Sequence, residues 1–67
     1  MIIKVNDITY NFTEEKLSIT EILKKMNYTF PIIVVKHNDK VVDSEQYDTY
    51  YVHDNDELII MHIFAGG

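Results

Sequence analysis

Hydrophobic and polar residues follow a strand-like pattern at the start of the chain. The stretches MIIKV and ITYNF are rich in β-branched and aromatic residues, and Asn6-Asp7 stands between them. Such residues favour extended backbone, and a two-residue turn dipeptide of this kind is typical of a β-hairpin. Residues 1–12 therefore predict an N-terminal hairpin.

After residue 17 the apolar spacing becomes helical. The apolar positions recur at i, i+3, i+4 and i+7, and they are Ile19, Ile22, Leu23 and Met26. Ser18 and Glu21 have the spacing of a capping box, in which each side chain bonds the other residue's backbone N–H. Asn27 suits a left-handed helix end, and Pro31 prevents the helix from continuing. This spacing predicts one helix with a single buried face.

The second half of the chain returns to strand-like runs. IIVVKH, residues 32–37, has the β-branched composition of a central strand, and KVV follows the turn dipeptide Asn38-Asp39. Residues 43–56 are polar and tyrosine-rich, and they indicate only a short helical turn near residues 44–47 and a turn at residues 54–56. Residues 58–64 form the last predicted strand.

The order of these elements predicts the fold class. One helix between two hairpin-like units is typical of an α+β domain in which the helix packs on one face of a mixed sheet. We expect a ubiquitin-like β-grasp with four to five strands and one main helix. Residues 1–67 form a single domain, with a flexible C-terminal tail at residues 64–67.

The last strand has apolar residues on both faces. Leu58 and Ile60 point one way, whereas Ile59, Met61 and Ile63 point the other. A single helix covers only one face of a sheet, so the second row is expected to stay exposed and to form, with Phe64, a partner interface. The alternative is that residues 43–56 fold over this row.

Composition narrows the possible functions. The 67 residues are 46% hydrophobic, contain no cysteine and carry a formal net charge of -5. The acidic balance argues against nucleic acid as a partner, and no run is long enough to span a membrane, so a cytoplasmic protein is expected. No bound cofactor and no metal site are expected, because the three histidines, His37, His53 and His62, are scattered and are interpreted as exposed. The tyrosines at 47, 50 and 51 are interpreted as a lid on the core.

The chain reserves its glycines for its last two positions. Ala65, Gly66 and Gly67 lose side-chain bulk towards the terminus, and no other glycine occurs. A tail of this kind can thread a narrow channel, and its backbone can approach the catalytic groups of another protein closely. Its terminal carboxylate is a chemical handle that ATP can convert to an acyl adenylate.

Together these segments resemble a known family. The opening IIKVND, the capped helix, IIVVKHNDKVV, HDNDELIIM and the terminal AGG are similar to the ThiS family of small sulfur carrier proteins of thiamine biosynthesis. The resemblance implies that an E1-like enzyme adenylates Gly67 with ATP, which the partner consumes. A sulfur donor system then converts Gly67 to a thiocarboxylate, which gives its sulfur to thiazole synthase. The protein would be a co-substrate and not a catalyst.

Two segments depart from the family pattern. Asn55 stands where the family commonly has a turn glycine, and asparagine is the next-best residue for left-handed backbone. The stretch VVDSEQY replaces a segment that often contains proline and arginine.

Three alternatives remain open at this point. The small subunit of molybdopterin synthase uses the same tail chemistry but is usually longer. A plain β-grasp interaction module would bind partners through the exposed apolar row, and a protein modifier would be attached to lysines through Gly67. The sequence alone leaves the sulfur donor, the sulfur acceptor and the oligomeric state undetermined.

Overall fold

The computed structural model describes residues 1–28 and 33–63. Their regular elements, in chain order, are β1 (Ile2–Val5), β2 (Ile8–Asn11), β3 (Lys16–Ser18), α1 (Ile19–Lys25), β4 (Ile33–His37), β5 (Lys40–Val42), a 3-10 helix (Ser44–Gln46), β6 (Tyr51–His53) and β7 (Glu57–His62). Pro31, which was expected to prevent continuation of the helix, lies outside the described residues.

Five of these strands form one mixed sheet in the order β2-β1-β7-β4-β5. The central pair, β1 and β7, is parallel, and the remaining neighbours are antiparallel. This sheet and its single α-helix confirm the predicted α+β layout. The strands β3 and β6 pair with each other in a separate two-stranded sheet, which the sequence analysis missed.

The tight turns of this domain use asparagine and aspartate in place of glycine. In the β1–β2 turn, Asn6 and Asp7 have φ of 51° and 67°, and in the β4–β5 turn Asn38 and Asp39 have φ of 48° and 72°. Two-residue hairpin turns of type I′ need positive φ at both positions, and after glycine these residues tolerate it best. Asn55 also adopts a positive φ of 69°, as its place in the predicted turn requires.

Helix α1 has the ends that its sequence predicts. Ser18 Oγ accepts the N–H of Glu21 at 3.1 Å, and Glu21 Oε1 accepts the N–H of Ser18 at 3.0 Å, which completes the capping box. At the other end Asn27 has φ of 61°. The N–H of Tyr28 then donates to the carbonyl of Leu23 at 2.9 Å, which is the long bond of a Schellman motif.

The core lies between α1 and one face of the large sheet. Its fully or nearly fully buried apolar side chains come from every layer, and they are Ile3, Val5, Leu17, Ile19, Ile22, Val35, Val42, Val52, Leu58 and Ile60. Leu23 and Met26 complete the helical stripe as partly buried neighbours. The predicted buried face of the helix is therefore confirmed.

Residues 43–56 close the core beside α1, so the alternative that they cover the second face of β7 is wrong. Val52 is fully buried, and the carbonyls of Tyr47 and Tyr50 accept N–H groups of the first helical turn at 3.1 and 3.0 Å. Tyr47 and Tyr50 pack against the core, as a lid would. The lid prediction is wrong for Tyr51, which is exposed with the Lys16 ammonium 4.6 Å from its ring centre.

His37 belongs to a partly buried network, so its predicted exposure is wrong. Its Nδ1 lies 2.7 Å from Tyr50 Oη and its Nε2 lies 2.8 Å from Asp56 Oδ2. Because an ionised carboxylate only accepts, the Nε2–H of His37 donates to Asp56, while Nδ1 lies within hydrogen-bond distance of the Tyr50 hydroxyl. Asp56 also accepts the N–H of His53 at 2.9 Å. The acidic turn is thus joined to β4 and β6.

The pKa of Asp56 lies below its ordinary value. Burial acts to raise the pKa of this carboxyl, but hydrogen bonds from His53, His37 and Asn38 together outweigh burial. The charged form is therefore favoured in the folded state. Since the unfolded carboxyl binds its proton more readily, this stabilisation is complete above the ordinary pKa and is lost as the pH falls through the lower native value.

Asn6 extends the contact between the first and last strands. Its N–H donates to the carbonyl of Leu58 at 2.9 Å, although β1 ends at Val5. The side chain then bonds the backbone of Ile60, whose N–H donates to Asn6 Oδ1 at 2.7 Å and whose carbonyl accepts from Nδ2 at 3.1 Å. A side-chain amide thus takes the place of a peptide group along β7.

Replacing Asn6 tests this contact. Asn6→Gly keeps the positive φ of the turn but removes both side-chain bonds to Ile60, so the free energy of unfolding should fall by about 1–2 kcal/mol in urea denaturation. The amide of Ile60 should also exchange its hydrogen faster. Asp7→Gly, at the adjacent position of the same turn, is the matched control and should leave stability unchanged or slightly higher. Equal losses for both variants would contradict the role given to the amide.

The Asp56 network predicts a particular pH dependence. The free energy of unfolding of the wild type should decline as the pH is lowered from near the ordinary aspartate value of 3.8, and Asp56→Asn should show a shallower decline over that range. Urea denaturation at a series of pH values measures both slopes. A slope for Asp56→Asn identical to that of the wild type would rule out this contribution.

Candidate functional site

The candidate site begins where β7 ends. β7 lies between β1 and β4, and its final pairing joins His62 to Ile33. Ile63 is the last described residue, so four predicted site residues lie outside the described part: Phe64, Ala65, Gly66 and Gly67. The structure therefore defines the sheet end from which the tail continues, and the roles given to these four residues stay predictions.

The face of the sheet opposite α1 carries apolar residues on β4, β5 and β7. We define the outer face as Val34, Lys36, Val41, Ile59 and Met61, which the register places side by side as Val34 with Met61 and Lys36 with both Ile59 and Val41. Exposed fractions are 68% for Val41 and 42% for Met61. Ile59 is half-buried in the middle of the face.

The predicted arrangement of β7 is confirmed by its burial. Leu58 and Ile60 are buried in the core, at 0% and 5% exposure, whereas Met61 and Ile63 are exposed at 42% and 52%. Ile59 lies on the same side of the strand as Met61 and is half-buried. Whether this row binds a partner stays a prediction, because no partner is present.

Most of the apolar residues of this face lie on one half of the sheet. On the β1–β2 side the same face carries the exposed polar residues Lys4, Thr9 and Asn11, together with a single exposed apolar residue, Ile2. On the β4–β5 side Val34 and Val41 extend the exposed apolar surface that begins on β7. Neither residue was predicted to belong to this surface. The sequence does indicate this extension, because IVVKH and KVV have β-branched residues at consecutive positions and therefore on both faces of their strands, as β7 does.

The described residues hold no group suited to a metal. Across residues 1–28 and 33–63, no cluster of three or more histidine, cysteine, aspartate or glutamate side chains could bind a metal ion. Within those ranges no helix has the length and apolar character needed to cross a membrane.

Comparison with known proteins identifies the family. The ThiS family profile matches residues 3–67. The crystal structure of the thiamine biosynthesis protein ThiS from Geobacter metallireducens is similar over 100% of both chains, with 26% identity and a TM-score of 0.89. An NMR structure of a thiamine biosynthesis protein from the same organism is 27% identical, with a TM-score of 0.79, and the match covers 100% of this chain and 88% of that one.

The search of curated proteins gives no match. The family profile nevertheless spans all but the first two residues and continues through the terminal glycines. The chain belongs to the ThiS family of small sulfur carrier proteins, with the β-grasp fold expected from its sequence.

Proposed function

We propose that this protein carries sulfur for the thiazole ring of thiamine on its C-terminal glycine, Gly67. The observation that carries the proposal is the family match, which runs to Gly67 and therefore includes the Ala65-Gly66-Gly67 tail. The likeness to thiamine biosynthesis proteins over the full chain supports the thiamine pathway in preference to the molybdopterin pathway.

The proposed chemistry takes place at the terminal carboxylate. A carboxylate oxygen of Gly67 attacks the α-phosphorus of ATP on an E1-like adenylating enzyme, which releases pyrophosphate and leaves an acyl adenylate. A sulfur nucleophile from the donor system then attacks the acyl carbon and expels AMP. The donor delivers the sulfur as hydrosulfide, HS⁻, so the new C–S bond forms as the C–O bond to AMP breaks, and loss of the proton leaves a thiocarboxylate at the terminus. Thiazole synthase accepts that sulfur, so the protein is a co-substrate and not a catalyst, and the partner consumes the ATP.

The geometry limits where the partner enzymes must bind. Four residues follow Ile63, and a segment of that length spans at most about 14 Å when fully extended. An active site that acts on Gly67 must therefore lie close to the domain itself. We place these steps in the cytoplasm, where ATP is available.

The exposed apolar residues near the tail are the proposed partner interface. Ile59, Met61 and Ile63, together with Phe64, lead along the chain from the outer face to the tail. Exposed apolar groups of this kind are typical of protein-binding surfaces. Because the tail is short, an enzyme that holds Gly67 is expected to cover these residues as well.

Deleting Gly67 tests the carrier function directly. The full-length chain, incubated with ATP, an E1-like enzyme of the thiamine pathway and a sulfur donor, should gain the mass difference between sulfur and oxygen. The chain lacking Gly67 should show no gain, while its melting temperature stays unchanged. Ala65→Gly keeps both the tail length and the terminal carboxylate, so it serves as the control and should still be modified. Sulfur incorporation into the truncated chain would refute the assignment of Gly67.

A charge placed on the outer face tests the interface. Met61→Glu puts a carboxylate at a side chain that is 42% exposed, so stability should change by less than about 0.5 kcal/mol. Burying that charge against a partner is unfavourable, and the KM for adenylation should rise about tenfold. Ile8→Glu makes the same kind of change at a residue 57% exposed in the β1–β2 hairpin. It should leave KM unchanged, and equal effects of the two substitutions would remove the outer face from the interface.

A further inference from the structure

A groove lies beside the sheet end from which the tail continues. It has a volume of about 490 Å³. The β4–β5 hairpin and the segment after it form its walls, which include Ile33, Val34, Val41, Val42, Asp43 and Tyr47. β4 begins and β5 ends at this edge of the sheet, because Ile33 pairs with His62 and Val35 with Val42. The groove and the last residues of β7 therefore share one end of the domain.

One wall of the groove is held in place by Tyr47. Its hydroxyl donates to the carbonyl of Ile33 at 3.0 Å, which ties the 3-10 helix back to the start of β4. Burial raises the pKa of this hydroxyl above its ordinary value of 10.0, and the negative charge of Asp43 contributes to the rise. The protonated hydroxyl is the donor in the bond to Ile33, which joins the 3-10 helix to the start of β4.

The rim of the groove is acidic, and its charge has no role in capping the adjacent helix. Asp43 is exposed and is the N-cap residue of the 3-10 helix, yet its side chain makes no capping hydrogen bond. Glu45, also exposed, lies two residues further along the chain, within the 3-10 helix and outside the groove lining. The groove thus presents an apolar floor, which continues into the outer face through Val34 and Val41, beside a solvated carboxylate.

The chemistry of adenylation indicates what fits this rim. An enzyme that binds ATP where Gly67 is delivered must surround the triphosphate with cationic side chains. The short tail brings the end of the sheet to within about 14 Å of that site. A carboxylate on the carrier at that distance is complementary to a basic entrance on the enzyme. Complementary charges of this kind speed encounter and set the orientation of docking.

We propose that this groove docks the adenylating enzyme, accepting an apolar side chain between Val34 and Val41 and a neighbouring arginine or lysine at Asp43. The inference rests on the proposed function, since it names a contact of the enzyme that activates Gly67. It adds the β4–β5 hairpin and Asp43 to the interface on β7. Asp43 acts there as a specificity-determining residue, remote from the reacting atoms.

Charge reversal at two ends of the same sheet tests the proposal. Asp43→Lys alters the rim of the groove, whereas Glu57→Lys makes the same change in charge at the opposite end of β7, and both residues are exposed. The assay is ATP-dependent activation of the full-length chain at about 10 mM ionic strength, where the Debye length is roughly 30 Å. Under these conditions Asp43→Lys should lower kcat/KM about tenfold, and the change should come from a higher KM. The deficit should shrink at about 0.15 M, where that length is about 8 Å. Glu57→Lys should stay within about twofold of wild type.

Several results would overturn the proposal. The first is an equal change in kcat/KM for Asp43→Lys and Glu57→Lys. The second is a lower kcat for Asp43→Lys with an unchanged KM. The third is normal activation of Asp43→Lys followed by slow sulfur transfer to thiazole synthase. Melting temperatures check that each variant is folded. Asp43→Asn, which removes the charge without adding a cation, should show a smaller deficit in the same direction. Failure of the carrier function itself is distinguishable, because the wild-type chain would then gain no sulfur under any condition.

Discussion

The structure depends on the parallel pairing of its first and last strands at the centre of the sheet. β1 and β7 are far apart in sequence, yet Val5 stands beside Leu58, and both are buried under α1. Asn6 lengthens this pairing by bonding the backbone of Ile60 after β1 has turned away. The strand that leads to the tail is therefore held on both sides, by β1 with Asn6 and by β4. β7 is thus held by its neighbours up to its last pairing, His62 with Ile33, directly before the segment that carries the proposed function.

The two faces of the sheet differ in what their side chains contact. One face packs against α1 and contributes the buried residues of β1, β4, β5 and β7 to the core. The opposite face leaves Val41 and Met61 exposed, and its β1–β2 half is polar except for Ile2. Substitutions on the outer face should therefore affect partner binding far more than folding. The same separation holds at the groove, where Tyr47 is tied to Ile33 while Asp43 remains solvated.

Turn chemistry explains much of what could be predicted. Across residues 1–28 and 33–63, every non-glycine residue with positive φ is an asparagine or an aspartate. These residues tolerate left-handed backbone, so the body of the domain makes its hairpins and its helix end without glycine. The two glycines are thus left to the tail, where small size and close backbone approach serve the proposed chemistry. His37 was misjudged because its partners, Tyr50 and Asp56, lie 13 and 19 residues away.

The sequence by itself determined the local elements: two hairpins, a capped helix and a last strand with two apolar faces. Each depends on residues within a few positions of one another, whose propensities and side-chain bonds act on the nearby backbone. Only the tertiary structure decided which strands pair and what covers each face. β3 and β6 are three residues each, and they pair with each other although α1, β4 and β5 lie between them in the sequence. The outer face also depends on the pairing of β4 with the distant β7, and register between such segments leaves no periodic signal in either one.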